Sequence, residues 1–74
     1  VTIPKPQQAL GAAVKARRMA LGVSQEDFAA ELGMHRTQLG HIEQGKKDCR
    51  LSTVIRLADA LGLSASSLLH IADL

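Results

Sequence analysis

Apolar residues along this chain return every three or four positions in five separate runs, and a glycine closes each of the first four. Such spacing gathers them on one face of a helix. Leu10, Val14 and Leu21 mark the first run, Gln8 to Leu21, with Gly22 suited to a left-handed cap. Ser24 and Asp27 have the spacing of a capping box, and Glu26 and Asp27 fall in a first turn where the helix dipole favours negative charge. The second helix thus starts at Gln25, presents Phe28, Ala29 and Leu32, and stops at Gly33. Gly33, Met34 and His35 form a short connection to a third helix marked by Leu39 and Ile42 and closed by Gly45.

Lys46 to Leu51 reads as a polar loop. Ser52, or a residue just before it, caps a fourth helix with Val54, Leu57, Ala58 and Leu61 on its apolar face. Gly62 ends that helix, and Ser64 caps a fifth that carries Leu68, Leu69, Ile71 and Leu74. Both prolines lie in the opening residues 1–7, where loss of a backbone donor and the bias against helix before proline suggest an N-terminal arm. The expected architecture is all-α, five helices in one domain over residues 8–74, with helices 2 and 3 forming a helix-turn-helix. No internal repeat or low-complexity tract interrupts it.

Composition supports that reading. Alanine and leucine dominate, and Phe28 is the only aromatic residue among 74, which favours helices over strands. A chain this short buries only about 60% of the surface it exposes when unfolded, so its core needs help from regular packing or a partner. Cys49 is alone and can form no disulfide within the chain. A single thiol, with no signal-peptide pattern and no long apolar run, points to a reducing cytoplasm and away from a membrane. Leu68, Leu69, Ile71 and Leu74 exceed what one small core absorbs easily, so part of the fifth helix is expected to meet a second copy in a homodimer.

The net charge of +2 decides little. Its distribution says more: Arg17, Arg18, Arg36, Lys46, Lys47 and Arg50 fall between the end of the first helix and the loop after the third, and would form a basic face if the fold brings those segments together. On the third helix Leu39 and Ile42 look inward, leaving Arg36, Thr37, Gly40, His41 and Gln44 for the sides and outer face. Arg36 can offer a two-pronged donor to guanine in the major groove, while Thr37 and His41 can donate to base edges or phosphates. Gly40 costs the helix on the order of 1 kcal/mol relative to alanine, which suggests close approach of a backbone from helix 2 or from DNA.

Other chemistries find no footing in the pattern. His35 and His41 are six residues apart, the wrong spacing for a shared metal-binding face, so neither metal nor cofactor is expected. There is no glycine-rich phosphate loop, strained serine elbow or paired carboxylate motif, and an enzyme is not expected. The lack of aromatics argues against readers of single strands, which stack bases on rings. Duplex DNA fits best.

The stretches Gly22-Val23-Ser24-Gln25-Glu26-Asp27, Ile42-Glu43-x-Gly45 and Leu57-Ala58-x-Ala60-Leu61-Gly62, with Ala29 and Gly33 between them, resemble the Xre or Cro-type helix-turn-helix transcriptional regulators, the lambdoid phage repressor-like family. The likeness runs from Leu10 to about Leu69. It implies a five-helix lambda repressor-like domain that recognises a duplex operator as a homodimer and regulates transcription, with repression the expected sense. By the same resemblance Arg18 and Glu43 form a buried salt bridge, and Arg36, Thr37 and His41 face bases. Gln25, His35, Gln44, Lys46, Lys47 and Arg50 then lie at phosphates, and Ala29 and Gly33 let helices 2 and 3 approach closely. His-Arg-Thr at 35–37 is similar to regulators of the restriction-modification controller kind. Two departures stand out: Cys49 occupies a position where proline is common, and His35 replaces a frequent serine cap. The alternative is an antitoxin or adaptor whose helices hold a protein partner, with DNA secondary, because many antitoxins resemble the same fold.

Overall fold

In the computed structural model, which describes residues 5–74, five helices follow one another: α1 (Pro6–Ala20), α2 (Gln25–Leu32), α3 (Arg36–Glu43), α4 (Leu51–Ala60) and α5 (Ala65–Ile71). Residues 1–4 of the expected arm lie outside the described residues. The first helix starts two residues earlier than expected, with extended Lys5 as N-cap and Pro6 at the first helical position. Proline is well suited there, since its missing N–H would be unpaired anyway and its fixed φ is already helical. Ser24 caps α2 by accepting from the Asp27 N–H at 3.1 Å, and Ser64 caps α5 by accepting from the Ser67 N–H at 3.1 Å. Helix α4 begins at Leu51 with Arg50 at its N-cap, so Ser52 lies inside the first turn.

The core joins every helix. Val14 from α1, Phe28 from α2, Leu39 from α3, Leu57 from α4, Leu61 just after it and Leu68 from α5 are its largest fully buried side chains. Leu68 corrects an expectation: it is 0% exposed and cannot meet a second copy, because α5 packs on both α1 and α4 and this residue fills the space between them. Leu69 is half-buried against the same core, whereas Ile71 and Leu74 remain about half exposed, at 53% and 52%. The α4 and α5 axes meet at 88°, and among the described residues no single helix is long and apolar enough to cross a membrane.

Close contact between α1 and α3 depends on Gly11. A Cβ there would meet the Ile42 carbonyl oxygen and would lie 2.8 Å from that of Glu43, so the helix backbones touch at a point where no other residue fits. Seven residues further along the same face of α1, Arg18 reaches Glu43, with Nε 2.7 Å from Oε2 and Nη2 3.1 Å from Oε1. The expected salt bridge is therefore present and buried, with the Glu43 side chain only 1% exposed. Arg18 Nη1 also donates to the Val23 carbonyl at 2.8 Å, tying the pair to the turn before α2.

Gly11→Ala should force α1 off α3 and destabilise the domain by roughly 1 to 3 kcal/mol, seen as a fall in melting temperature of at least about 4 °C. An unchanged melting temperature would show that these helices separate freely.

Candidate nucleic-acid interface

Helix α3 has eight residues, too few to persist alone in water, so its neighbours must hold it. Leu39, Gly40, Ile42 and Glu43 are buried, and Arg36, Thr37, Gln38 and His41, with Gln44 at the C-cap, are exposed. At about 100° per residue, Thr37, His41 and Gln44 fall within about 60° of one another and form the outward stripe. Arg36 lies about 100° round from Thr37, but sits on the first turn, with no preceding turn of the helix for its side chain to lie against. It is open to solvent, as a base-reading side chain must be.

The start of α3 is secured from within. Gln38 Oε1 accepts from the His35 N–H at 3.1 Å, supplying a first-turn hydrogen bond despite the histidine at the N-cap. His35 is itself exposed. Beyond the helix, Lys46, Lys47 and Arg50 are exposed on the loop leading to α4, so the loop cations sit directly after the outward stripe. The rest of the anticipated basic face does not join them. Arg18 is buried in its ion pair, and Arg17 turns its Nε to the Leu61 carbonyl at 3.3 Å, capping the end of α4.

Two glycine expectations also change. Gly40 is buried and not on the free face; a Cβ built there finds only Gln25 Nε2, at 4.0 Å, so no backbone of α2 presses on it. Gly33 is used for its left-handed turn, at φ 69°, with Arg56 Nη2 at 3.9 Å the nearest atom to a Cβ there, so it does not bring α2 and α3 into tight contact. Gln25, expected at a phosphate, is half-buried and donates from Nε2 to Glu43 Oε1 at 2.9 Å. One amide proton is thereby used inside the protein, leaving the second N–H and the carbonyl oxygen.

Two residues beside this face escaped the sequence pattern. Gln38 and Arg56, with Met34, Ile42, Lys47 and Arg50, border a groove of about 370 Å³ between α3, the following loop and α4. Arg56 also donates to the Leu32 carbonyl, satisfying the end of α2. The spacing of α4 marks Arg56 as outward but cannot say which carbonyl so long a side chain will reach. Cys49 lines the same groove, and burial, reinforced by neighbouring Asp48 and opposed by Lys47, pushes its thiol pKa up. That keeps it a protonated, unreactive thiol at neutral pH. Among the described residues no three His, Cys, Asp or Glu side chains gather as metal ligands would.

Residues 9–70 match the helix-turn-helix domain family. The chain belongs to that family. Within it the chain is of the Xre type and is a transcriptional regulator related to restriction-modification controller proteins. It is 41% identical over 56 residues to the control protein C.SmaI of Serratia marcescens, covering 76% of this chain and 67% of that protein. Its fold is similar to that of the clp gene regulator ClgR from Corynebacterium glutamicum, with a TM-score of 0.91 at 28% identity over 96% of this chain and 92% of that one. The restriction-modification controller C.AhdI from Aeromonas hydrophila is likewise similar, with a TM-score of 0.78 at 31% identity, covering 84% and 94% of the two chains.

Since a Cβ at Gly40 meets ordinary contact distances only, Gly40→Ala should raise stability by up to about 1 kcal/mol through helix propensity. Chemical denaturation reads this directly; a loss of stability would mean that the Gln25 side chain cannot yield.

Proposed function

We propose that this helix-turn-helix regulator binds a palindromic duplex operator as a homodimer and represses transcription from it, with α3 in the major groove and α2 across the backbone. The observation that carries this reading is the division of α3, whose apolar side is wholly sunk into the core while Thr37, His41, Gln44 and first-turn Arg36 stay exposed. Arg36, Thr37 and His41 are assigned to base edges. Gln25, His35, Gln44, Lys46, Lys47 and Arg50 are assigned to phosphates, which take half to two-thirds of the hydrogen bonds in protein–DNA complexes. The family relationship supports the regulatory role, and the exposed polar stripe supports the DNA-facing one.

A single α3 spans only a few base pairs. Two copies with equivalent contacts about 34 Å apart, one helical turn of DNA, would read both halves of a palindrome. Of the four apolar residues first considered for the dimer contact, Ile71 and Leu74 are the ones available, with Leu69 at their edge. A cytoplasmic location, with access to the genome, completes the proposal.

Selection from a random duplex pool supplies the operator for the test. Arg36→Ala should then cost on the order of 1 to 3 kcal/mol on that operator and relax preference at one base pair, whereas Lys46→Ala should weaken all sequences alike and reduce the salt slope by about 1. Equal losses on operator and random DNA in both variants would reassign Arg36 to a phosphate.

Oligomeric state is tested separately. Sedimentation equilibrium should find a dimer that Ile71→Glu converts to monomer; a wild-type chain that stays monomeric at high concentration removes the dimer.

A further inference from the structure

We propose that Glu43 is a positioning residue for DNA engagement: besides pairing with Arg18, its carboxylate fixes the orientation of the Gln25 amide at the start of α2. This rests on the DNA-binding reading above. An ionised carboxylate only accepts hydrogen bonds, so the 2.9 Å contact to Glu43 Oε1 requires the nitrogen end of the Gln25 amide to face inward. Both Glu43 oxygens are also held by Arg18, so the anchor is itself rigid. The amide nitrogen lies 4.0 Å from where a Cβ on Gly40 would stand, so it rests against α3. With a side chain 1% exposed, Glu43 cannot touch DNA and can act on it only through another residue.

The consequence is a pre-ordered contact. A free glutamine loses several rotatable bonds when it grips a phosphate, whereas Gln25 has surrendered that freedom before DNA arrives. Its remaining N–H is presented at one place, on the element that crosses the backbone in the proposed complex. The inward carboxylate thus connects α1, α2 and α3 through one group, and any change that releases Glu43 also releases the amide.

A double-mutant cycle on the selected operator tests this. Gln25→Ala should weaken binding roughly tenfold, as expected for loss of one hydrogen bond to a charged group, and should leave the salt slope unchanged because a neutral side chain displaces no counterion. In an Arg18→Met/Glu43→Met background, which removes both charges together and leaves no acceptor oxygen at position 43, the same Gln25 substitution should change affinity by less than about threefold, since the positioned contact is already lost. Should that pair fail to fold, Arg18→Leu/Glu43→Leu, which likewise removes charge and acceptor together, replaces it.

The side-chain amide of Gln25, followed by NMR in the DNA-free protein, supplies a readout that mere stability would not move. The Gln25 Nε2 order parameter should be close to that of the rigid backbone in the wild type and should fall clearly in the variant lacking the Glu43 carboxylate. Independent, additive losses in the cycle, or a Gln25 side chain as mobile in the wild type as in the variant, overturn the proposal. Lys46→Ala is measured alongside: if it lowers the salt slope while the Gln25 and Glu43 effects add, only the positioning role fails, and if it leaves the slope unchanged, the phosphate-binding reading fails with it.

Discussion

The structure depends on the ion pair between Arg18 and Glu43, buried where three helices meet. Removing two charges from water costs several kcal/mol, and their attraction offsets this only when the remaining hydrogen-bonding capacity is also used. Here it is. Glu43 accepts from Arg18 twice and from Gln25, and Arg18 donates also to Val23. Among the described residues no buried side-chain nitrogen or oxygen is left without a partner. Such a pair adds little stability over an apolar replacement. What it contributes is selectivity, because only one rotation and one height of α3 against α1 satisfies all of these bonds.

Gly11 enforces the same arrangement by shape. It lies two turns before Arg18 on the same side of α1, and its missing side chain admits the carbonyls of Ile42 and Glu43. Steric contact fixes how near α3 comes, and charge fixes how it is turned. With both settled, Leu39 and Ile42 enter the core and the opposite flank faces solvent without further choice. The short α3 therefore needs no stability of its own, and its outer residues carry little responsibility for the fold.

Much of this was legible from spacing and caps. Ser24, Ser64 and the terminating glycines marked helix ends because their chemistry is local: a hydroxyl meets an N–H three residues away, and a left-handed φ needs no distant partner. The inward pair Leu39 and Ile42 followed from period alone, while the Arg18–Glu43 bridge came through the family resemblance. Errors arose where the answer lay across the fold. Leu68 looked like one of a surplus of surface leucines, yet a count of apolar residues cannot tell which one faces two neighbouring helices. Gly40 drew notice as the odd residue in α3, although the helix backbones touch at Gly11, inconspicuous in an alanine-rich run. Arg17 counted toward the basic face on paper, but its flexible stem is long enough to find a helix-end carbonyl, as that of Arg56 does at the end of α2.

The division of labour within α3 has a bearing on how such a regulator changes. Thr37, His41 and Gln44 form no part of the packed interior, so in the proposed complex exchanging them would alter what the molecule recognises and leave its architecture untouched. On that proposal a new target site would be accessible through single replacements, each tolerated on its own, whereas drift at Gly11 or Glu43 meets an immediate structural penalty. Recognition can wander quickly on a scaffold that is obliged to stand still.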